Sequence, residues 1–267
     1  MYSVMRSENN RMDKPFPGGL DFLELVGECE VKCEHLSLSQ LSKLGQKLPL
    51  CHERLAELLS HLYREACCFN GCDGGDHTPQ RIAARIASHA LAAYRMLSRG
   101  YYDESMSLTR SIGEAANLLF LFASVPSHYP QWKAADERDR WDRYRPAKVR
   151  ELLQRAQLPV PIDRERYGLL SSVSVHLSPS VSPQAHAPEA RATLGAIHRD
   201  EGLMATLNEL SGAVGVTASS LATLLPEKCR PTLKEAAVAL LRSVGGMDLA
   251  AVRSLNSVSA THDPGLR

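Results

Sequence analysis

The amino-acid sequence predicts an all-α protein, an antiparallel helical bundle with an additional C-terminal helical segment. Apolar residues recur at spacings of three and four along most of the 267 residues, which is the periodicity of amphipathic helices. Alternating runs rich in Val, Ile, Thr and aromatic residues, which are typical of strands, are nearly absent. The hydrophobic content of 44% is enough to bury a substantial core, so we expect a folded chain.

Turn and cap residues divide the chain into helices. Ser39 is expected to cap a second helix, and Thr78 with Pro79 to start the fourth. Gly100 is expected to end that fourth helix and to connect it to the next one in an antiparallel hairpin, and this pair is predicted to form the centre. The predicted helices cover about residues 20–35, 39–47, 49–71, 80–99 and 102–123, two helices that meet at Pro146 within 133–150, and about 163–177, 200–225 and 232–244.

Two segments are predicted to flank a helical bundle of residues 20–255, and a third is predicted to interrupt it. Residues 1–19 are expected to form a polar leader, because they lack the uninterrupted apolar run of a secretion signal. Residues 256–267 are expected to form a disordered tail. The Ser- and Pro-rich residues 178–188 are either a linker or a long surface loop.

Charge and cysteine content favour a cytoplasmic protein without a metal or another cofactor. The chain has 31 basic and 30 acidic residues, so any site for a polyanion must be local. Seven cysteines, an odd number, fit free thiols in a reducing compartment, and paired C-x-x-C motifs for zinc are missing. The most apolar stretch, residues 115–125, is far shorter than the roughly 20 residues that cross a bilayer, so we expect no membrane span.

A polar stripe interrupts the otherwise apolar helix predicted for residues 102–123. Ser107, Arg110, Glu114 and Asn117 are spaced by three and four, so they lie on one helix face. Buried charges persist when they are paired or when they serve a ligand. The stripe is therefore either an Arg110–Glu114 ion pair that fixes the helix register or part of a ligand site.

A second set of polar residues lies on the helix predicted for residues 163–177. Ser172 and His176 are four apart and share a face, whereas Tyr167 lies roughly opposite His176. We therefore expect only one of Tyr167 and His176 to meet the stripe that contains Arg110. His176 either ends its helix before Pro179 or has a functional role.

The residues of 133–150 combine charge with aromatic side chains. Seven basic and four acidic residues surround Trp141 and Tyr144, and Trp132 precedes them. The basic surplus could guide a nucleic-acid strand while the aromatic rings stack on bases. Alternating charge is equally typical of a solvated helix surface.

Several of these motifs resemble a widespread bacterial family of unknown function. They are the Arg-Ser-x-x-Glu motif of Arg110, Ser111 and Glu114, a proline-terminated apolar run followed by a tryptophan, the Lys-Val-Arg motif at 148–150, and the Ser-x-x-Val-His motif at 172–176. The resemblance covers about residues 80–225. That family is similar to the HEPN superfamily of helical bundles, many of which are metal-independent ribonucleases of toxin and phage-defence systems.

The resemblance and the polar stripe together suggest a protein that acts on RNA or a nucleotide. Arg110 would hold a phosphate, Glu114 would orient it, and His176 would act as general acid or base. The alternative is a non-catalytic interaction or scaffold module, which docks a protein partner or a second copy through the Trp132–Tyr144 surface. The further ligand contacts expected in the RNA reading are Asn117, Lys148, Arg150, Tyr167 and Ser172.

Overall fold

The computed structural model describes residues 18–43, 47–69, 74–174 and 195–244, and this part of the chain forms helices and contains no strand. The predicted all-α class is confirmed. Residues 1–17 of the predicted leader, the predicted linker and the predicted tail lie outside the described residues. The helices of the described ranges are α1 (Gly19–Leu41), α2 (Lys47–Ala66), α3 (Thr78–Ser98), α4 (Tyr102–Ser124), α5 (His128–Ala134), α6 (Glu137–Tyr144), α7 (Pro146–Arg155), α8 (Arg164–Ser174), α9 (Asp200–Ala222) and α10 (Arg230–Ser243).

Helix α1 is longer than predicted. It continues through Ser39 to Leu41, so the expected second helix with a Ser39 cap is wrong. The side chains of Cys33, Ser37 and Leu41, four residues apart, are buried on one face of this helix. Burial of that face keeps the chain helical, because tertiary packing outweighs the weak local preference of serine for a cap.

The group that caps the start of α3 also differs from the predicted one. The backbone N–H of Thr78 donates to the carboxylate of Asp76 over 3.0 Å, and the Thr78 hydroxyl donates to the same oxygen. Thr78 was predicted to cap the helix. In the structure it is the first helical residue, and Asp76 supplies the acceptor instead. Pro79 lies in the first turn as expected.

The turn between α3 and α4 requires glycine at position 100, as predicted. Gly100 has a φ of +82°, and a Cβ atom built there would lie 2.0 Å from the carbonyl oxygen of Ile197. The Ile197 N–H donates to the Gly100 carbonyl over 3.3 Å. The α3–α4 hairpin is thereby fastened to the segment that leads into α9.

The centre of the bundle is formed by α4 and α9, whereas the sequence predicted α3 and α4. Helix α9 packs more extensively on α4 than α3 does, and every residue from Leu210 to Ala222 is buried. Small residues on α9 also permit close packing against α10, because a Cβ atom at Gly215 would lie 2.7 Å from the Cγ of Leu241 on that helix. A helix that is buried on every side shows little amphipathic periodicity, so its central position was not predicted.

None of the described helices is both long enough and apolar enough to cross a membrane.

Candidate functional site

Helix α4 brings two residues of the predicted polar stripe, Arg110 and Glu114, to the surface of the bundle. Arg110 and Glu114 form an ion pair, with Nη2 and Oε1 3.1 Å apart, and their side chains are 22% and 30% exposed. The spacing of four residues on one helix makes this contact geometrically direct. The pair is only half-buried, so it lies within reach of a ligand as well as within the packing of the bundle.

Tyr167 on α8 completes the pair. Its hydroxyl donates to Oε1 of Glu114 over 3.0 Å and also contacts Nη2 of Arg110. Tyr167 therefore contacts the polar stripe at Arg110 and Glu114. His176 lies outside the described residues, so the expectation that only one of the two meets the stripe stays a prediction.

Two guanidinium groups stack on the Tyr167 ring. The Cζ atoms of Arg110 and Arg150 lie 4.5 Å and 4.6 Å from the ring centroid. This cation–π geometry holds both arginines against Tyr167, whose hydroxyl donates to Glu114. We call Arg110, Glu114, Arg150 and Tyr167 the arginine–tyrosine cluster; it carries two positive charges and one negative charge.

The cluster has unused hydrogen-bond donors. Nε of Arg110 and Nη1 of Arg150 are buried and have no partner among the described residues. Buried donors without acceptors are costly, and they favour an anion or another acceptor nearby. The net positive charge of the cluster also favours an anion.

Asn117 positions the chain that leads into α8. Its side-chain amide donates to the carbonyl of Ile162 over 2.7 Å, and its Oδ1 accepts from the Ile162 N–H over 2.9 Å. Asn117 is 2% exposed, so both polar ends of this predicted ligand residue are used within the protein. A Cβ atom at Gly113 would lie 3.0 Å from Ile162, which shows how closely this segment approaches α4.

Lys148, another predicted ligand residue, forms contacts away from the cluster. Nζ of Lys148 pairs with Glu151 over 2.8 Å and lines a separate cavity of about 250 Å³ with His128 and Arg155. Burial holds the pKa of His128 below its usual value, and the nearby charge of Arg143 lowers it further. Ser172 lies in α8, but its side chain is outside the described part of the chain.

Glu114 connects the cluster to an open groove of about 920 Å³ between α4 and the α5–α7 segment. That volume lies in the range of small-molecule sites. Its lining combines the apolar residues Ala115, Leu118 and Val149 with charged and aromatic residues. The polar and aromatic residues of the groove are Ser111, Glu114, Trp132, Glu137, Arg138, Arg140, Trp141, Tyr144 and Arg145.

The two tryptophans of the groove have different environments. Trp132 packs on Phe122 with ring centroids 5.5 Å apart, and Phe122 also meets Tyr144 at 6.2 Å. Trp141 lies on the same groove with 63% of its surface exposed. Trp132 is therefore part of the aromatic packing that holds the α5–α7 segment, and Trp141 presents a ring to the solvent.

The arginines of the groove also divide into two kinds. Arg140 donates to the backbone carbonyls of Trp132 and Ala135 over 3.3 Å and 2.6 Å, so its position is fixed. Arg138 and Arg145 are exposed, and neither forms an ion pair or a hydrogen bond of its side chain with another described residue. These two cations are available to a ligand.

Asp76 anchors the α5 end of the groove and was missed by sequence reasoning. Its carboxylate accepts hydrogen bonds from Nζ of Lys133 over 2.8 Å and from the Tyr129 hydroxyl over 3.2 Å. The Lys133 ammonium and the Thr78 donors hold the pKa of the Asp76 carboxyl well below its usual range. An aspartate two residues before a helix start is the signal that could have identified its capping role, but its reach to α5 depends on the fold.

Within the described ranges, no group of three or more His, Cys, Asp or Glu side chains is arranged to hold a metal ion.

No protein-family model, no curated protein and no solved structure matches this chain.

Proposed function

We propose that the protein binds single-stranded RNA, or a nucleotide with the same chemistry, in the groove between α4 and the α5–α7 segment. The observation that carries this proposal is the combination of one exposed tryptophan, Trp141, with two unpaired arginines, Arg138 and Arg145, on one groove. An exposed aromatic ring stacks on an unpaired base, and guanidinium groups bind the phosphates beside it. The adjoining arginine–tyrosine cluster adds a net positive charge.

The proposal includes metal-independent cleavage of the bound strand, which rests on the resemblance to HEPN ribonucleases. In such a reaction the ribose 2′-oxygen bonds to the neighbouring phosphorus while the P–O5′ bond breaks, which gives a 2′,3′-cyclic phosphate. A base takes the 2′-hydroxyl proton, and an acid protonates the departing 5′-oxygen. Arg110 would stabilise the charge that develops on the phosphate, and Glu114 would hold that guanidinium in place. His176 is the proposed proton carrier.

Binding is tested by fluorescence anisotropy with labelled single-stranded RNA at low salt. The Arg138→Ala/Arg145→Ala double variant is expected to bind at least ten-fold more weakly, with a shallower dependence on salt, because two phosphate contacts are lost. Arg81→Ala/Arg85→Ala is the matched control, since it removes the same charge from exposed positions on α3. Equal loss in both variants would show that only net charge matters, and the groove proposal would fail.

Cleavage is tested separately by incubating the same RNA with the protein in EDTA. We expect cleavage to persist in the chelator and to disappear in Arg110→Ala and His176→Ala variants that melt like the wild type. If the wild type binds RNA and does not cut it, the binding proposal stands and the nuclease proposal is wrong.

The second candidate function is protein–protein interaction, and a specific observation on α1 favours it. Leu20, Val31 and Leu38 are exposed and are separated by 11 and seven residues, so they share one helix face. An exposed apolar stripe is typical of interaction surfaces. If Leu20→Asp/Val31→Asp converts an oligomer to a monomer in light scattering while RNA binding is absent, the interaction module replaces the RNA proposal.

A further inference from the structure

The position of Glu114 bears on which base the groove selects. Its carboxylate is anionic, yet it lines a groove that also carries the cations Arg138 and Arg145. A carboxylate repels phosphate, so the part of an RNA ligand that Glu114 can bind is a hydrogen-bond donor. A nucleobase carries such donors.

The Glu114 carboxylate is held with one oxygen free. Oε1 accepts from the Tyr167 hydroxyl over 3.0 Å and contacts Nη2 of Arg110 at 3.1 Å. Oε2 has no donor among the described residues. A carboxylate offers about two lone-pair sites on each oxygen. Oε1 therefore has its contacts within the cluster, and Oε2 retains two acceptor sites for a ligand.

The apolar lining of the groove suits a flat base. Ala115, Leu118 and Val149 line the same groove as Glu114, and the Trp141 ring is exposed on it. A base stacked on Trp141 would exclude water from the Glu114 carboxylate, which strengthens any hydrogen bond formed there.

We infer that the groove selects guanine, with Oε2 of Glu114 accepting hydrogen bonds from the N1–H and the N2 amino group of a base that stacks on Trp141. Guanine presents these two donors side by side on one edge. Adenine, cytosine and uracil place an acceptor beside their donor on that edge, and an acceptor is repelled by the carboxylate. This inference rests on the proposed function and adds a base preference to it.

The test compares uridine hexamers that carry guanosine, inosine, adenosine or uridine at one central position. Inosine keeps N1–H and lacks the N2 amino group, so it differs from guanosine by one hydrogen bond. We expect the guanosine hexamer to bind the wild-type protein about ten-fold more tightly than the inosine hexamer, and uridine to be weaker still. The readout is the Kd from fluorescence anisotropy, together with quenching of Trp141 in a Trp132→Phe variant, where it is the single tryptophan.

Two variants separate the role of Glu114 from that of its surroundings. Glu114→Gln is expected to bind all four hexamers within about two-fold of one another, because its amide oxygen stays with the Tyr167 and Arg110 donors and its amino group, which is a donor, takes the place of Oε2. Glu137→Gln removes another carboxylate of the groove and is expected to keep the guanosine preference. The wild-type comparison of guanosine with inosine stands on its own if Glu114→Gln fails to fold.

Each outcome has a distinct meaning. If the four hexamers bind the wild type equally, the base preference is wrong and the RNA-binding proposal stands. If the guanosine preference persists in Glu114→Gln and vanishes in Glu137→Gln, the assignment to Glu114 is wrong. If no hexamer binds at low salt, the proposed function fails and the base preference fails with it.

Discussion

Replacement of Asn117 tests how α4 positions the candidate site. The Asn117 amide makes two hydrogen bonds to the backbone of Ile162, at 2.7 Å and 2.9 Å, and both residues are 2% exposed. Asn117→Leu keeps the branched shape and the number of side-chain heavy atoms, and it leaves the buried N–H and carbonyl of Ile162 without partners. At about 1–3 kcal/mol for each orphaned group, the free energy of unfolding should fall by about 4 kcal/mol.

The assay is thermal and denaturant unfolding, beside a matched control. For a chain of this size, a loss of about 4 kcal/mol lowers Tm by about 8–16 °C. Asn208→Leu is the control, because Asn208 is half-exposed on α9 and has no hydrogen bond of its side chain to another described residue; we expect a change below about 1 kcal/mol. Equal effects of the two substitutions, or a loss below about 1 kcal/mol at Asn117, would refute the positioning role.

The remaining predictions concern charge, protonation and metal. Arg110→Met should destabilise the protein by about 1–2 kcal/mol, and Arg110→Met/Glu114→Gln should recover part of this; additive losses in denaturant melts would refute the pairing. Burial lowers the pKa of His52, so its contribution to the free energy of unfolding is complete above about pH 6.5 and falls as the pH drops further. In His52→Gln, the free energy of unfolding from denaturant melts should therefore depend less on pH between 7.5 and 5.5. Elemental analysis should find no stoichiometric zinc, and one tightly held zinc per chain would overturn this.

The fold was predictable where local chemistry and packing agree. Gly100 could be assigned to a turn because a positive φ is costly for other residues, and Pro146 separates α6 from α7 as its missing N–H requires. The break predicted at Ser39 was wrong because the buried Ser37 and Leu41 extend α1 beyond it. Burial of that turn depends on residues far along the chain, such as His198, whose Nδ1 lies 3.3 Å from the Ser37 hydroxyl.

The candidate site was predictable only within single helices. The spacing of four residues predicted the contact of Arg110 with Glu114, since it depends on α4 alone. The stacking of Arg150 on Tyr167 joins α7 to α8, and the groove joins α4 to the α5–α7 segment. Such contacts follow from how helices cross, which the periodicity of one helix does not encode. His176 and its proposed role lie outside the described residues and stay a prediction.

Ultraviolet cross-linking of single-stranded RNA to the wild-type protein, with the cross-linked peptides mapped by mass spectrometry, tests the central claim most directly. The account predicts that cross-links concentrate in the peptides that carry α6, with Trp141 as the principal site, and that Trp141→Leu removes them. Cross-links that fall mainly on α1 or α10, or a pattern unchanged in Trp141→Leu, would contradict the assignment of the groove as the RNA site.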